Sequence, residues 1–206
     1  MMRQVVLLNA AADNGEAALR HSLARCPGVQ RSHLGADLPA SWGGLGLTWD
    51  ALLGDNAPPV ATQLAGLELG AADAVRFRPL RRATPEPGIT GGIKRTLLLR
   101  VKPGSPAAAV EQFEQDLTAM PAHIHAIRNW SLSRVDSSLH ISTWTHVWEQ
   151  EYRTLEGLLH DYQASPYHWA WIERWFDPEC PTHIVDSRLV HVFKQAETSI
   201  LAWDGT

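Results

Sequence analysis

A chain that runs strand, helix, strand, strand, helix, strand cannot bury itself alone. In that order both helices cover one face of the sheet, and the other face is left apolar and bare. Residues 93–194 read in this order. Ile93 to Lys102 alternates as a strand, with Ile93, Arg95, Leu97, Leu99 and Val101 on one side and Lys94, Thr96, Leu98 and Arg100 on the other. Pro103-Gly104 ends it, and Ser105-Pro106 offers a cap and first turn for a helix carrying Val110, Phe113 and Leu117, which Pro121 is expected to stop. A second strand is expected near Ile127 to Val135, followed by a turn at Asp136-Ser137-Ser138. The third strand is read from His140 to Glu149, with His140, Ser142, Trp144, His146 and Trp148 on one face. A helix from Thr154 breaks at Ser165-Pro166 and resumes through Trp175, and the last strand covers Arg188 to Lys194.

The twelve residues Arg81 to Gly92 have no apolar period and contain two Pro and three Gly, so they are read as a linker. Before them the same order repeats more faintly. Gln4–Asn9 is a strand, Gly15–Arg25 a helix, Val29–Leu34 and Gly44–Leu53 strands, Pro59–Leu67 a short helix and Ala74–Leu80 a last strand. The opening strands Val5-Val6-Leu7-Leu8 and Thr96-Leu97-Leu98-Leu99 are alike, as in a degenerate internal duplication. The expected division is therefore a half over 1–80, the linker 81–92, a second half over 93–195 and a tail over 196–206. The expected fold class is α+β: two tandem ferredoxin-like units whose antiparallel sheets face each other and close a barrel. Whether the barrel closes within one chain or across a homodimer stays open at this stage.

Several segments of the second half resemble the stress-responsive A/B-barrel family of the dimeric α/β-barrel superfamily. These are the opening strand and turn Ile93–Gly104, Thr145-His146-Val147-Trp148-Glu149, the helix break Tyr162-Gln163-Ala164-Ser165-Pro166-Tyr167-His168-Trp169, and the final strand Asp186–Phe193. The pattern also resembles that of olivetolic acid cyclase-type members. This resemblance implies a pocket in which Tyr162 and His168 are an acid–base pair and His146 a further pocket histidine. The chemistry it implies is aldol-type ring closure without a metal or cofactor. The chain departs from the pattern at Arg95, where members often carry His, and at Ser165, where the first His of the break is expected.

Read from the residues themselves, His168 has an imidazole suited to proton transfer near neutrality, and Tyr162 can hold a carbonyl oxygen. Arg95 shares a strand face with Leu97, so it needs an anion or a wet cavity. Nine tryptophans, five of them between 144 and 175, point to an aromatic-rich core or a flat-walled pocket. Catalytic candidates are thus His168, Tyr162 and His146, and substrate-binding candidates Arg95, Trp144, Trp148, Trp169 and Leu97. Three functions fit: a cofactor-independent lyase, cyclase or isomerase acting on a hydrophobic aromatic or polyketide-like carbonyl compound; a non-catalytic small-molecule-binding or stress-response barrel; or a purely structural barrel filled by tryptophan.

The net charge is −4 with no basic run, which argues against a nucleic-acid partner. No stretch approaches the roughly 20 apolar residues of a membrane span. The ten histidines lie outside compact ligand sets, and no glycine loop joins a strand to a helix, so neither a metal nor a cofactor is expected. Two isolated cysteines, Cys26 and Cys180, suit a reducing cytoplasm.

Overall fold

A computed structural model describes residues 1–10 and 16–203. The strands are β1 (Met2–Ala10), β2 (Val29–Ala36), β3 (Leu47–Leu53), β4 (Leu69–Ala83), β5 (Thr90–Leu99), β6 (Asn129–Val135), β7 (His146–Tyr152) and β8 (Val190–Thr198). The helices are α1 (Glu16–Ala24), α2 (Val60–Leu64) and α3 (Ala107–His123), and short wide-wound segments lie between β7 and β8. Gly15, expected to open the first helix, lies outside the described residues. The eight strands form one antiparallel sheet in the order β2-β3-β1-β4-β6-β7-β5-β8. Each half contributes four strands in the ferredoxin-like order, and β4 joins β6 through pairs from Phe77↔Val135 to Ala83↔Trp130.

The two outer strands, β2 and β8, meet and close the sheet into a barrel within one chain. A strap that follows β2 makes the closure: Leu38 N–H donates to the Phe193 carbonyl (2.9 Å), and Trp42 and His191 exchange backbone hydrogen bonds of 2.7 and 2.8 Å. Strand alternation then gives the wall two faces. Outward residues of β1, β3 and β4 (Val6, Leu8, Trp49, Ala74) pack under α1 and α2. Outward residues of β5, β7 and β8 (Leu97, Leu99, Trp148, Tyr152, Phe193) pack against Phe113, Leu117 and Met120 of α3.

The barrel interior is not hollow. One end is apolar, filled by Val5, Leu7, Val75, Phe77, Leu98, Val147 and Val192. Deeper lies a buried ionic network. Asp50 pairs with Lys94 (2.6 Å) and Lys194 (2.8 Å), and Glu149 pairs with Lys94 (2.8 Å) and Arg3 (3.2 Å). Burial pushes the Asp50 carboxyl up, but Lys194 and Lys94 outweigh it and hold it below the usual carboxylate range. Lys194, less fully compensated, is pulled down by burial to about 8. The far end is plugged by the chain terminus: Glu151 accepts hydrogen bonds from Ser199 Oγ and from the backbone of Ile200 and Leu201, and Ile200 and Trp203 pack on Leu52.

Several boundaries differ from those expected. The third strand of the second half begins at His146, not His140, because β6 ends at Val135, which bonds Thr145, and leaves 140–144 without a partner strand; Ile141 is almost fully exposed. Pro121 sits in the last turn of α3 without ending it, since a proline there forfeits a single intrahelical hydrogen bond. Of the expected linker, only 84–89 lie outside strands, and much of the expected tail is structured as strand and plug. The cavity foreseen between the sheets is occupied by the network and its apolar neighbours.

Lys94 neutralises two acids at once. We expect Lys94→Met to cost about 3–5 kcal/mol, because it leaves buried carboxylates under-compensated. Urea unfolding at pH 7 measures this, and a change below about 1 kcal/mol would show that the network does not hold the barrel together.

Candidate active site

The open cavity of interest lies on the outer face of the second half, between the sheet and the segment 157–176. It measures about 200 Å³. Register sets its floor: Leu97 on β5 stands between Trp148 on β7 and His191 on β8, and Arg95 stands opposite Gln150. Tyr162, His168, Ile172, Glu173 and Phe176 form the roof.

The roof owes its geometry to unusual winding. Gly157–Tyr162 and His168–Ile172 are π-helical and flank the Ser165-Pro166 break. Regular α winding would leave residues six apart about 120° away from each other around the axis. The wide turns and the proline break bring Tyr162 and His168 together instead, with ring centroids 4.5 Å apart. Tyr162 also lies flat beneath Arg95, whose Cζ is 4.6 Å from the ring centroid.

Arg95 is buried and its hydrogen-bond partners are neutral. Its Nε donates to His191 Nε2 (2.8 Å) and Nη1 to Gln150 Oε1 (2.5 Å), which also accepts from the Tyr152 hydroxyl (2.9 Å). Burial and the nearby Arg95 charge hold His191 well below the ordinary imidazole range, so it stays neutral and accepts. His168 is lowered for the same two reasons, burial first and Arg95 second, to about 4. Its Nε2 lies 3.1 Å from Glu173 Oε1. That contact is within ion-pair reach but is not a hydrogen bond; a neutral imidazole has one N–H and one bare lone pair. Nδ1 is buried and has no partner among the described residues. Burial raises the Glu173 carboxyl, against the pull of Arg95. The arrangement is a neutral imidazole with an uncommitted ring nitrogen beside a fixed cation.

Five of the sequence-derived candidates, His168, Tyr162, Arg95, Trp148 and Leu97, line this cavity. The other three do not. His146 faces α3, where Nε2 meets Glu114 Oε1 (3.0 Å) beside Arg134 and Nδ1 meets Thr145 Oγ1 (2.9 Å). Trp144 precedes β7 and plugs the barrel end with its Nε1–H on Asp73 (2.9 Å). Trp169 is 59% exposed and turns outward. Sequence reasoning missed His191, Gln150 and Glu173. The first two were readable only by pairing β8 and β7 with β5, and the third only from the wide winding after Pro166.

The stress responsive A/B barrel domain matches residues 93–190. The match covers just under half of the chain. The cavity is lined wholly by residues of the matched stretch and its immediate continuation at His191. Across the whole chain the fold is similar to a putative monooxygenase from Lactobacillus acidophilus NCFM (TM-score 0.57, 11% identity, 96% of this chain and 97% of that one). It is also similar to a putative monooxygenase from Fusobacterium nucleatum (0.59, 10%, 96% and 95%) and to an anthrone oxidase-like protein (0.63, 10%, 94% and 90%). Identities this low speak for the fold alone. No curated protein matches the chain.

The depressed His168 has a consequence for stability. Its folded value lies below 6.5, so between pH 6.5 and 4 the unfolded chain binds a proton that the folded chain refuses. Stability is therefore retained above pH 6.5 and lost as pH falls through this window, on the order of 2 kcal/mol at pH 5 from this group. Titration of the His168 ring by NMR should show a midpoint near 4, and His168→Gln should flatten the difference between denaturation midpoints at pH 7 and pH 5. A midpoint near 6.5 would contradict the assignment.

Proposed function

We propose that the cavity binds a compact hydrophobic or aromatic carbonyl compound and removes a proton next to its carbonyl, without a cofactor. The observation that carries this reading is Arg95, a buried cation with neutral hydrogen-bond partners. A buried charge is stable only when compensated, so the site favours a ligand that brings or develops negative charge, as a carboxylate or an enolate does. His168 Nδ1 is the base, and the Glu173 carboxylate beside Nε2 favours the tautomer that leaves Nδ1 unprotonated. Tyr162 stacks on Arg95 and holds the substrate oxygen near the cation.

A base held near 4 is weak, so the substrate proton must be acidified by the enolate-stabilising Arg95 before it can move. Ring closure by a cyclase, cleavage by a lyase, isomerisation and cofactor-free oxygenation can all begin with such an enolate. The similarity to structures named as putative monooxygenases and as an anthrone oxidase-like protein is compatible with that first step. At about 200 Å³ the cavity is smaller than the roughly 300–1,000 Å³ of typical drug-sized sites. That favours a one- or two-ring compound over an extended polyketide. The weak base also favours a second reading, a barrel that binds the same anion without turnover.

We also read the chain as two duplicated halves divided at 84–89. With Val5–Leu8 laid on Thr96–Leu99, Arg3 falls on Lys94 and, through strand pairing, Asp50 falls on Glu149, which supports this reading.

Exchange of the α-hydrogens of small aryl ketones and aryl 1,3-diketones into D2O, followed by NMR, separates the two functional readings. Wild-type protein should accelerate exchange, and His168→Gln should lower the rate by about 10²–10⁴-fold. Arg95→Gln should weaken binding of aromatic carboxylates by at least about tenfold. Binding without exchange would leave only the non-catalytic reading, and unchanged carboxylate affinity in Arg95→Gln would remove both.

A further inference from the structure

The barrel end nearest the cavity carries a second concavity of about 640 Å³, which the reading above does not use. Leu7 and Val190, part of the apolar end of the barrel, line it together with Leu45 and Trp144. Trp42 lines it from the strap. The Trp42 backbone is pinned on both sides by its hydrogen bonds to His191, yet its side chain is 71% exposed. A large flat side chain on a pinned backbone, left uncovered beside a concavity, is a ready surface for stacking.

Gly43 sets this placement. Its φ of +72° suits glycine, and a Cβ there would stand 2.8 Å from the Leu189 carbonyl oxygen, so no side chain fits between the strap and the 187–190 segment. Arg188 supplies a charge at this end. Its guanidinium lies 5.8 Å from the Trp144 ring centroid and makes no ion pair with the described residues. Asp73, the carboxylate among the lining residues, has Oδ2 engaged by Trp144 Nε1–H. Leu189 lines both this concavity and the Arg95 cavity, so one side chain forms part of both walls.

We propose that the barrel mouth is a second binding site, which takes a planar aromatic anion against Trp42 with its charged group toward Arg188, on the approach to the Arg95 cavity behind Leu189. The choice of an aromatic anion rests on the reading of the Arg95 cavity. The site itself rests on Trp42, Arg188 and the shared wall.

Equilibrium dialysis of salicylate, detected by its own fluorescence, tests both sites in the full chain. Trp42→Ala removes an exposed side chain and keeps the backbone pairing with His191, so folding should be unaffected. Wild-type protein should bind about two molecules per chain, and Trp42→Ala, Arg188→Gln and Arg95→Gln about one each. If Trp42→Ala and Arg188→Gln bind as wild type does while Arg95→Gln loses binding, the mouth site is wrong and the cavity reading stands. If Arg95→Gln binds as wild type does while the other two lose binding, the mouth site stands and the cavity reading falls. Absence of salicylate binding to wild type would overturn both.

Discussion

The structure depends on the mutual burial of two sheet faces that carry charge. Asp50, Glu149 and Glu151 point inward with Arg3, Lys94 and Lys194, three acids against three bases, all almost fully shielded from water. Neither half could cover its own inward face, because each would expose an apolar strip with ions at its centre. Facing each other, the sheets let Lys94 of one half reach Asp50 of the other, and Arg3 of the first reach Glu149 of the second. The ionic contacts therefore fix how the halves are registered as well as closing the barrel. Packing alone would tolerate a slip; an ion pair left open in so dry an interior would not.

Filling the interior shifts the open space to the outer face. The Arg95 cavity opens on the outside of the wall, where inward and outward residues of one strand serve different ends: on β5, Lys94 and Thr96 belong to the interior, and Arg95 and Leu97 to the cavity. The strap from the first half crosses to β8 and fixes the backbone of His191, which in turn holds Arg95 Nε. The first half thus supports a site that it does not line.

The sequence made much of this legible, and its failures have physical causes. Alternation in Ile93–Leu99 correctly put Arg95 with Leu97, and the Tyr162–His168 motif belongs to the cavity. Alternation could not say which face looked inward, since each face of β5 mixes leucine with a cation, Lys94 on one and Arg95 on the other. Strict alternation puts Trp144 on one face with His146 only by running past the end of the partner strand. Once 140–144 leaves the sheet, parity no longer places Trp144, which plugs the barrel, whereas His146 keeps its register in β7 and meets Glu114 of α3, away from the cavity. His191 and Gln150 lie far from Arg95 in sequence and become its neighbours only through strand pairing.

Closure within one chain also frees the halves to differ. With Val5–Leu8 laid on Thr96–Leu99, Gln4 takes the place of Arg95, and Arg76 donates to Gln4 and Gln63 across the space under α2. In a barrel made of identical copies, any change to a pocket residue is made twice, and a filled pocket on one side means a filled pocket on the other. Here a single polypeptide keeps one side packed and the other open at the Arg95 cavity, so the asymmetry is inherited with the chain.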